Sequence, residues 1–340
     1  MTSRDAALVR ERLEKVLEAF DGVHVLVVGD VVLDEYLWGS VDRLSPEAPV
    51  PVVHVNRESV VLGGAGNVIR NLVALGGRCS FCSVVGNDAD GQQVVELLEE
   101  LSISTEGVVR VKGRPTTRKT RVVARTQQLV RFDREVCTPL PDPDTRQLAA
   151  AVERAIPGVD TVVMADYGKG VLSSSFVMDC VGRFRDAGLP VAVDPKGVLK
   201  SYRGVSLLKP NLRELEALSG LRLDSGQDTT RAIDRIREVV GPVDVVLTRG
   251  GEGMTVFEGQ GGGVDVPTAV RDVFDVQGAG DTAMAALALA QSAGATLREA
   301  AVVANAAAGI VVGRVGTATA TRDEVRAVLP AAIAASEAGG

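Results

Sequence analysis

Asp281 follows the turn Gln277-Gly278-Ala279-Gly280, and the run Ala283-Met-Ala-Ala-Leu-Ala-Leu-Ala290 comes directly after it. That run is apolar all round and reads as a buried helix, so the turn is the helix N-terminus. Gly278 and Gly280 let the backbone turn tightly and approach a ligand. The N–H groups of residues 278 to 281 then have no partner within the helix and can point at an anion. A carboxylate beside an anion hole suits phosphoryl transfer to a hydroxyl. The amides of Gly278, Ala279 and Gly280 would stabilise the transferring group, and Asp281 would take the hydroxyl proton. A lone Gly-x-Gly-Asp is more often a glycine loop with an acid at the start of an ordinary helix. The rest of the sequence reverses that preference.

The elements that must position these residues alternate along the chain. Short apolar runs at 23–28, 79–85, 161–165, 190–193, 206–208 and 243–247 read as strands, and each meets a polar or charged turn. Helical patterns, such as 66–75 and 91–101, fall between them. The alternation predicts an α/β fold with a doubly wound, mostly parallel sheet and helices on both faces. Two segments, about 36–55 and 108–134, are β-rich and proline-punctuated or charged, with no helical period. They are expected to form a small β lid inserted in a single domain spanning 1–340. The glycine run at 259–263 reads as a hairpin-like turn.

Ligands of open α/β sheets sit at the carboxyl ends of the strands. Asp30 and Asp34 end the first strand and could accept hydrogen bonds from sugar hydroxyls, or simply cap the loop. Gly63 and Gly64 allow close backbone approach, and Asn67 can both donate and accept. Arg118, Lys119, Arg121, Arg125 and Arg131 form a basic set in the second lid segment. Charge runs are usually solvated faces. In a strand, however, Lys119, Arg121 and Arg125 share a side and could hold a phosphate by charge-assisted bonds. Lys169 and Lys196, each following a further strand, could join them. Asn211 and Glu214 stand at i and i+3 where a helix opens, the spacing of a capping box.

Asp275-Val-Gln-Gly-Ala-Gly-Asp281 and Leu62-Gly-Gly-Ala-Gly-Asn67 resemble the two signatures of the ribokinase-like (PfkB) carbohydrate kinases. Further segments resemble one branch, the D-glycero-β-D-manno-heptose 7-phosphate kinases of the ADP-heptose pathway. They are Val28-Gly-Asp-Val-Val-Leu-Asp34, Arg43-Leu-Ser-Pro-Glu-Ala-Pro-Val-Pro-Val-Val53, Gln127-Gln-Leu-Val-Arg131, Asp166-Tyr-Gly-Lys-Gly170, Asp194-Pro-Lys-Gly197 and Lys209-Pro-Asn-Leu-Arg-Glu214. The likeness runs from about residue 25 to about residue 321.

The resemblance implies ATP and Mg²⁺ as cofactors, with K⁺ as a candidate at Asp275. It implies Asp34, Gly63, Gly64, Asn67, Asp166, Lys169 and Lys196 around the sugar phosphate, together with Lys119 and Arg121. It puts Asn211 and Glu214 near the nucleotide phosphates, with Glu214 reaching Mg²⁺ through water. It puts Thr248, Gly250 and Gly253 along ATP, and Asn305 near the adenine. It also implies a homodimer through the lid. Gln277 departs from the family's small residue (Thr or Ser), and Gly66 from an Ala common in the branch. No adenylyltransferase half is recognisable after Thr321, so adenylyl transfer is expected to fall to a separate protein.

Composition narrows the classes without deciding among them. The 340 residues are 46% hydrophobic and 24% charged, with a net charge of -7. That suits a globular protein and argues against non-specific nucleic-acid binding. No apolar run reaches the roughly 18 residues of a membrane span. Residues 1–20 read as a charged amphipathic helix rather than a leader, and a cytoplasmic location is expected. Cys79-Ser-Phe-Cys82 has metal or redox spacing, but within a strand its cysteines face opposite sides. The reading is an ATP-dependent kinase acting on the anomeric hydroxyl of a heptose 7-phosphate. The alternatives are a kinase for another sugar or sugar phosphate, or a non-catalytic sugar- or nucleotide-binding regulator on the same fold.

Overall fold

A computed structural model describes residues 3–125, 127–259, 261–269, 275–314 and 316–338. Helix α1 (Ser3–Glu18) leads into β1 (His24–Gly29), and β2 (Val31–Leu44) and β3 (Pro51–Gly64) form a long hairpin. Next come α2 (Ala65–Ala74), β4 (Arg78–Gly86), α3 (Ala89–Glu100) and β5 (Val108–Val111), then a second hairpin of β6 (Arg118–Ala124) and β7 (Gln127–Arg134). The middle of the chain holds α4 (Asp142–Ala155), β8 (Thr161–Ala165), α5 (Ser174–Asp186), β9 (Val191–Asp194), β10 (Leu207–Leu208), α6 (Leu212–Ser219) and α7 (Gly226–Val240). It closes with β11 (Asp244–Thr248), β12 (Met254–Phe257), β13 (Val264–Val266), α8 (Ala279–Ser292), α9 (Leu297–Val312) and α10 (Arg322–Ala338).

Two sheets result. The larger has the order β13-β12-β11-β10-β9-β8-β1-β4-β5, parallel except for β12 and β13 at one edge. Both its faces are covered, which is why β1 reads as continuous Val and Leu rather than as an alternation. Val25 and Val27 enter one core with α1, α2, α8, α9 and α10. Leu26 and Val28 enter the other with α4, α5 and α7. The doubly wound fold expected from the sequence is the one observed.

The second sheet has the order β3-β2-β6-β7 and is the lid. Its bounds differ from the expected segments in two ways. Residues 108–111 are not lid: β5 pairs in parallel with β4 at the edge of the main sheet, where Val109 and Val111 are buried in the second core. A crossover through α3 keeps the chain in the main sheet before the second lid hairpin begins. The β2–β3 hairpin also extends inward to Val31 and Gly64, because its base, from Val31 to Leu33, is buried under α2.

Cys79 packs against the first core and Cys82 lies in the second. Burial pushes both thiols up to about 12, which disfavours thiolate chemistry. No helix among the described residues is long and apolar enough to cross a membrane.

Candidate active site

Helix α8 begins against the lid and the carboxyl ends of the parallel strands. Gly278 caps it with φ 78°, a left-handed conformation. A Cβ there would lie 2.7 Å from Asn67 Nδ2, so both space and backbone demand glycine. Thr282 holds the first turn: its N–H donates to Gly278 O at 2.9 Å, and its hydroxyl to Asn71 Oδ1 at 2.8 Å. The following residues, from Ala283 to Ala290, are all buried. The helix is therefore fixed on every side, and its first amides and Asp281 meet the cleft.

Two groups hold Asp281. Asn67 Nδ2, from α2, donates to Oδ2 at 2.7 Å. The Tyr167 hydroxyl, just after β8, donates to Oδ1. Arg70 donates to Asn67 Oδ1 at 3.1 Å, which turns the Asn67 amide so that its nitrogen faces the acid. Burial pushes the Asp281 carboxyl up to about 6, against the pull of the Tyr167 and Asn67 hydrogen bonds. A base poised near neutrality suits proton abstraction.

Tyr167, Asp194 and Lys209 were missed as site residues, although each lies within a motif that carried the resemblance. Lys209 Nζ sits 3.6 Å from where a Gly280 Cβ would be, and bonds Asp194 Oδ2 at 2.9 Å. Burial works against its charge, but Asp194 outweighs burial and keeps the ammonium protonated. It adds a fixed positive charge beside the amides of Gly278, Ala279 and Gly280. The available signal was chemical: a Lys and an Asp, each ending an adjacent strand, β10 and β9.

A cleft of about 610 Å³, with the lid residue Lys119 in its lining, opens at this point. Thr248, Gly250, Gly253 and Asn305 line it, with Lys196, Asn211 and Glu214. Asn211 and Glu214 form a reciprocal capping box at the start of α6. Lys196, expected near a substrate phosphate, instead bonds Glu214 Oε1 at 2.6 Å in this arm of the cleft. Asn305 donates to the carbonyls of Val266 and Pro267 at 3.1 and 2.9 Å, fixing the wall beside β13.

At the lid end, Asp34 and Arg121 are both buried and paired, Arg121 Nη1 to Asp34 Oδ1 at 2.5 Å. A Cβ on Gly63 would fall 1.9 Å from Asp34 Oδ2, so glycine there admits the carboxylate. Gly64, with φ 58°, turns the chain beside Asp30 O. Arg121 thus engages Asp34 through Nη1, while its buried Nε has no hydrogen-bond partner among the described residues. Arg125 leaves the expected row altogether, because β6 ends at Ala124 and Arg125 takes a positive φ. Arg118 is drawn to Glu35 and Asp90, and Arg131 to Asp133. Lys119 remains: it lines the cleft and makes no hydrogen bond or ion pair among the described residues. Burial and the nearby Lys169 both lower its pKa, against the pull of Asp34, Asp133 and Glu135. Lys169 bonds Glu135 at 2.7 Å.

Asp166 lines the cleft but turns its carboxylate inward, accepting from Gly168 N at 2.8 Å and the Tyr202 hydroxyl at 3.0 Å. Asp30 braces the same loop, accepting from the N–H groups of Tyr167, Lys169 and Val171. Asp275 clips two loops together, accepting from Gln277 N at 2.9 Å and Gly316 N at 3.1 Å. The Gln277 side chain points to the lid, where Oε1 accepts from the Tyr36 hydroxyl at 2.8 Å. Val273 and Phe274, at the start of the same motif, lie outside the described residues.

Residues 24–324 match the model of the pfkB family of carbohydrate kinases. The chain belongs to that family, and a sugar kinase is the class that its fold and family define. Among curated relatives it is 44% identical over 321 residues to the "Bifunctional protein HldE" of Trichlorobacter lovleyi, covering 94% of this chain and 65% of that one. It is 46% identical to the protein of the same name from Paramagnetospirillum magneticum, with the same coverage. The chain therefore spans about two thirds of the length of these relatives. Among solved structures it superposes on an Arabidopsis thaliana ribokinase complexed with ribose and ATP (TM-score 0.71, 20% identity, 90% and 98% of the two chains). It superposes likewise on Escherichia coli phosphofructokinase-2 (TM-score 0.73, 21% identity, 90% and 98%). At that identity these two structures show the fold alone.

Proposed function

We propose that the protein transfers the γ-phosphoryl of ATP to the anomeric C1 hydroxyl of D-glycero-β-D-manno-heptose 7-phosphate, giving the 1,7-bisphosphate. The observation that carries the reading is the placement of Asp281 beside the amides of Gly278 to Gly280 and Lys209, where the cleft meets the lid. Asp281 accepts the C1 hydroxyl proton as the new O–P bond forms. The bond from the γ-phosphorus to the β–γ bridging oxygen breaks, and ADP leaves. The amides and Lys209 stabilise the charge spread over the transferring group. The similarity to HldE proteins favours a heptose phosphate over other sugars.

The two ends of the substrate fall to different residues. Asp34, Gly63, Gly64 and Asn67 face the sugar. Lys119 and Lys169 face its distal phosphate. Thr248, Gly250, Gly253, Asn305 and Asn211 hold the nucleotide. Among the described residues no three His, Cys, Asp or Glu side chains cluster to cage a metal. The cleft lining carries Asp166, Asp194, Glu214 and Asp281, and Mg²⁺ needs few of them, because it keeps its waters and binds largely through phosphates. Glu214 and Asp194 would reach it, and it would neutralise phosphate charge there. Asp275 could offer K⁺ only the lone pairs left by two backbone amides, and no step depends on it. The lid carries exposed Leu44, Val50, Val130 and Phe132, which suits a homodimer formed through the lid. A cytoplasmic location completes the proposal.

The test is ATP consumption across a panel of sugar phosphates, with phosphorus NMR of the product. Turnover of the heptose 7-phosphate at least tenfold above hexose 6-phosphates supports the reading. Preference for another sugar leaves a kinase with a different substrate, and no turnover with any acceptor overturns it.

A further inference from the structure

A side-chain bond spanning 241 residues of sequence joins the lid to the anion-hole loop: the Tyr36 hydroxyl donates to Gln277 Oε1 at 2.8 Å. Tyr36 is buried and its hydroxyl also hydrogen-bonds with Thr317, so the proton it gives to Gln277 is poorly served by water if that bond opens. Both ends are anchored. Gln277 N donates to Asp275, whose other oxygen holds Gly316, and Gly278 next to it starts α8. On the lid side, the Arg121 guanidinium lies over the Tyr36 ring, 5.2 Å from its centre, and bonds Asp34. Asp34, Tyr36 and Trp38 share one face of β2, since strand side chains alternate. Trp38 stacks on Tyr36, with centroids 5.6 Å apart and planes 14° apart.

We infer that Gln277 is a positioning residue that sets the sugar-binding face of the lid against the phosphoryl-binding loop, acting through Tyr36, Arg121 and Asp34. The inference rests on the sugar-kinase reading for its kinetic arm but not for its spectroscopic one. Gln277 touches neither reacting atom. Its side chain determines how far Asp34 stands from the amides of Gly278 to Gly280, and hence whether a hydroxyl bound at Asp34 reaches the phosphoryl. A small side chain at 277 would leave the Tyr36 hydroxyl without this acceptor and the lid without this tie.

Trp38 is the one tryptophan of the chain, so its emission reports the lid without interference. The experiment compares wild type, Gln277→Leu, Tyr36→Phe and the double variant. In the ligand-free protein, acrylamide quenching of Trp38 is expected to rise in Gln277→Leu, although residue 277 lies on another element. KM for the sugar phosphate is expected to rise roughly fivefold to tenfold in each single variant, and no further in the double variant. KM for ATP is expected to stay within about twofold, and the melting temperature within a few degrees. Unchanged Trp38 quenching in Gln277→Leu overturns the inference, as do single-variant effects on KM that simply multiply in the double variant. Tyr36→Phe keeps the ring, its stacking and its contact with Arg121, so it isolates the hydroxyl if Gln277→Leu folds poorly. If wild type turns over no sugar phosphate, the kinase reading fails and the quenching comparison still decides the tie.

Discussion

The Tyr167 hydroxyl donates to Asp281 Oδ1, and Asn67 occupies the other carboxylate oxygen. The carboxylate is therefore oriented by the protein alone. Burial raises its pKa to about 6, and the Tyr167 bond moderates that rise. Only the unprotonated carboxylate can take a proton, so kcat/KM should fall as pH drops through about 6. A sugar phosphate also titrates near 6, so the informative quantity is a difference between proteins. Without the Tyr167 hydroxyl the carboxylate loses a donor, and its pKa rises. The acidic limb of the Tyr167→Phe profile should thus lie at higher pH than that of wild type. Superimposable limbs would show that Tyr167 does not tune the base.

Replacing Asp281 by Asn removes the proton acceptor while keeping the shape. We expect kcat to fall by roughly 10²–10⁴, the range for loss of a general base. Affinity for ATP, measured by calorimetry, should hardly change. A variant with near wild-type kcat would remove Asp281 from the chemistry.

Lys119 and Arg121 lie two residues apart and should fail differently. Lys119→Ala deletes a cation that makes no hydrogen bond or ion pair among the described residues, so the protein should melt normally. KM for the sugar phosphate should rise roughly tenfold or more, the worth of one charge-assisted contact. Arg121→Ala strands Asp34 as a buried charge, a loss of about 3–5 kcal/mol when half of such a pair is removed. Its main sign should be a lower melting temperature. Equal melting temperatures for the two variants would count against this division.

Gly63→Ala tests the approach of Asp34 to the lid backbone. The added Cβ would meet Asp34 Oδ2 at 1.9 Å, so the carboxylate must move. We expect a rise in KM for the sugar phosphate and little change in KM for ATP. Comparable shifts in both would place Asp34 outside the sugar site.

Local signals carried much of the fold and the centre of the site. The valine-rich runs of β1, β8 and β9 could only be strands buried on both faces, and the helices between them required parallel crossovers. Gly278 and Gly280 before Asp281, and an all-apolar helix after it, placed an acid at an anion-binding terminus because both properties belong to consecutive residues. The boundary at β5 escaped that reading. Val108 to Val111 looks like any short β run, and only its partner strand assigns it to the main sheet.

Charge pairing was the other decision that tertiary structure made. Lys119, Arg121 and Arg125 are alike in sequence, yet one lines the cleft with no ion pair among the described residues, one pairs with Asp34 and one leaves the strand. Lys196 went to Glu214, and Lys209 with Asp194 came to stand beside Gly280 from two different strands. Spacing tells which way a side chain points from its own element. What it meets depends on the elements that pack opposite, and the ion-pair partners of Lys209, Lys196 and Arg121 lie 15, 18 and 87 residues away. Coulomb attraction and desolvation act on that three-dimensional neighbourhood, so residue types showed the chemistry available and the packing selected which groups perform it.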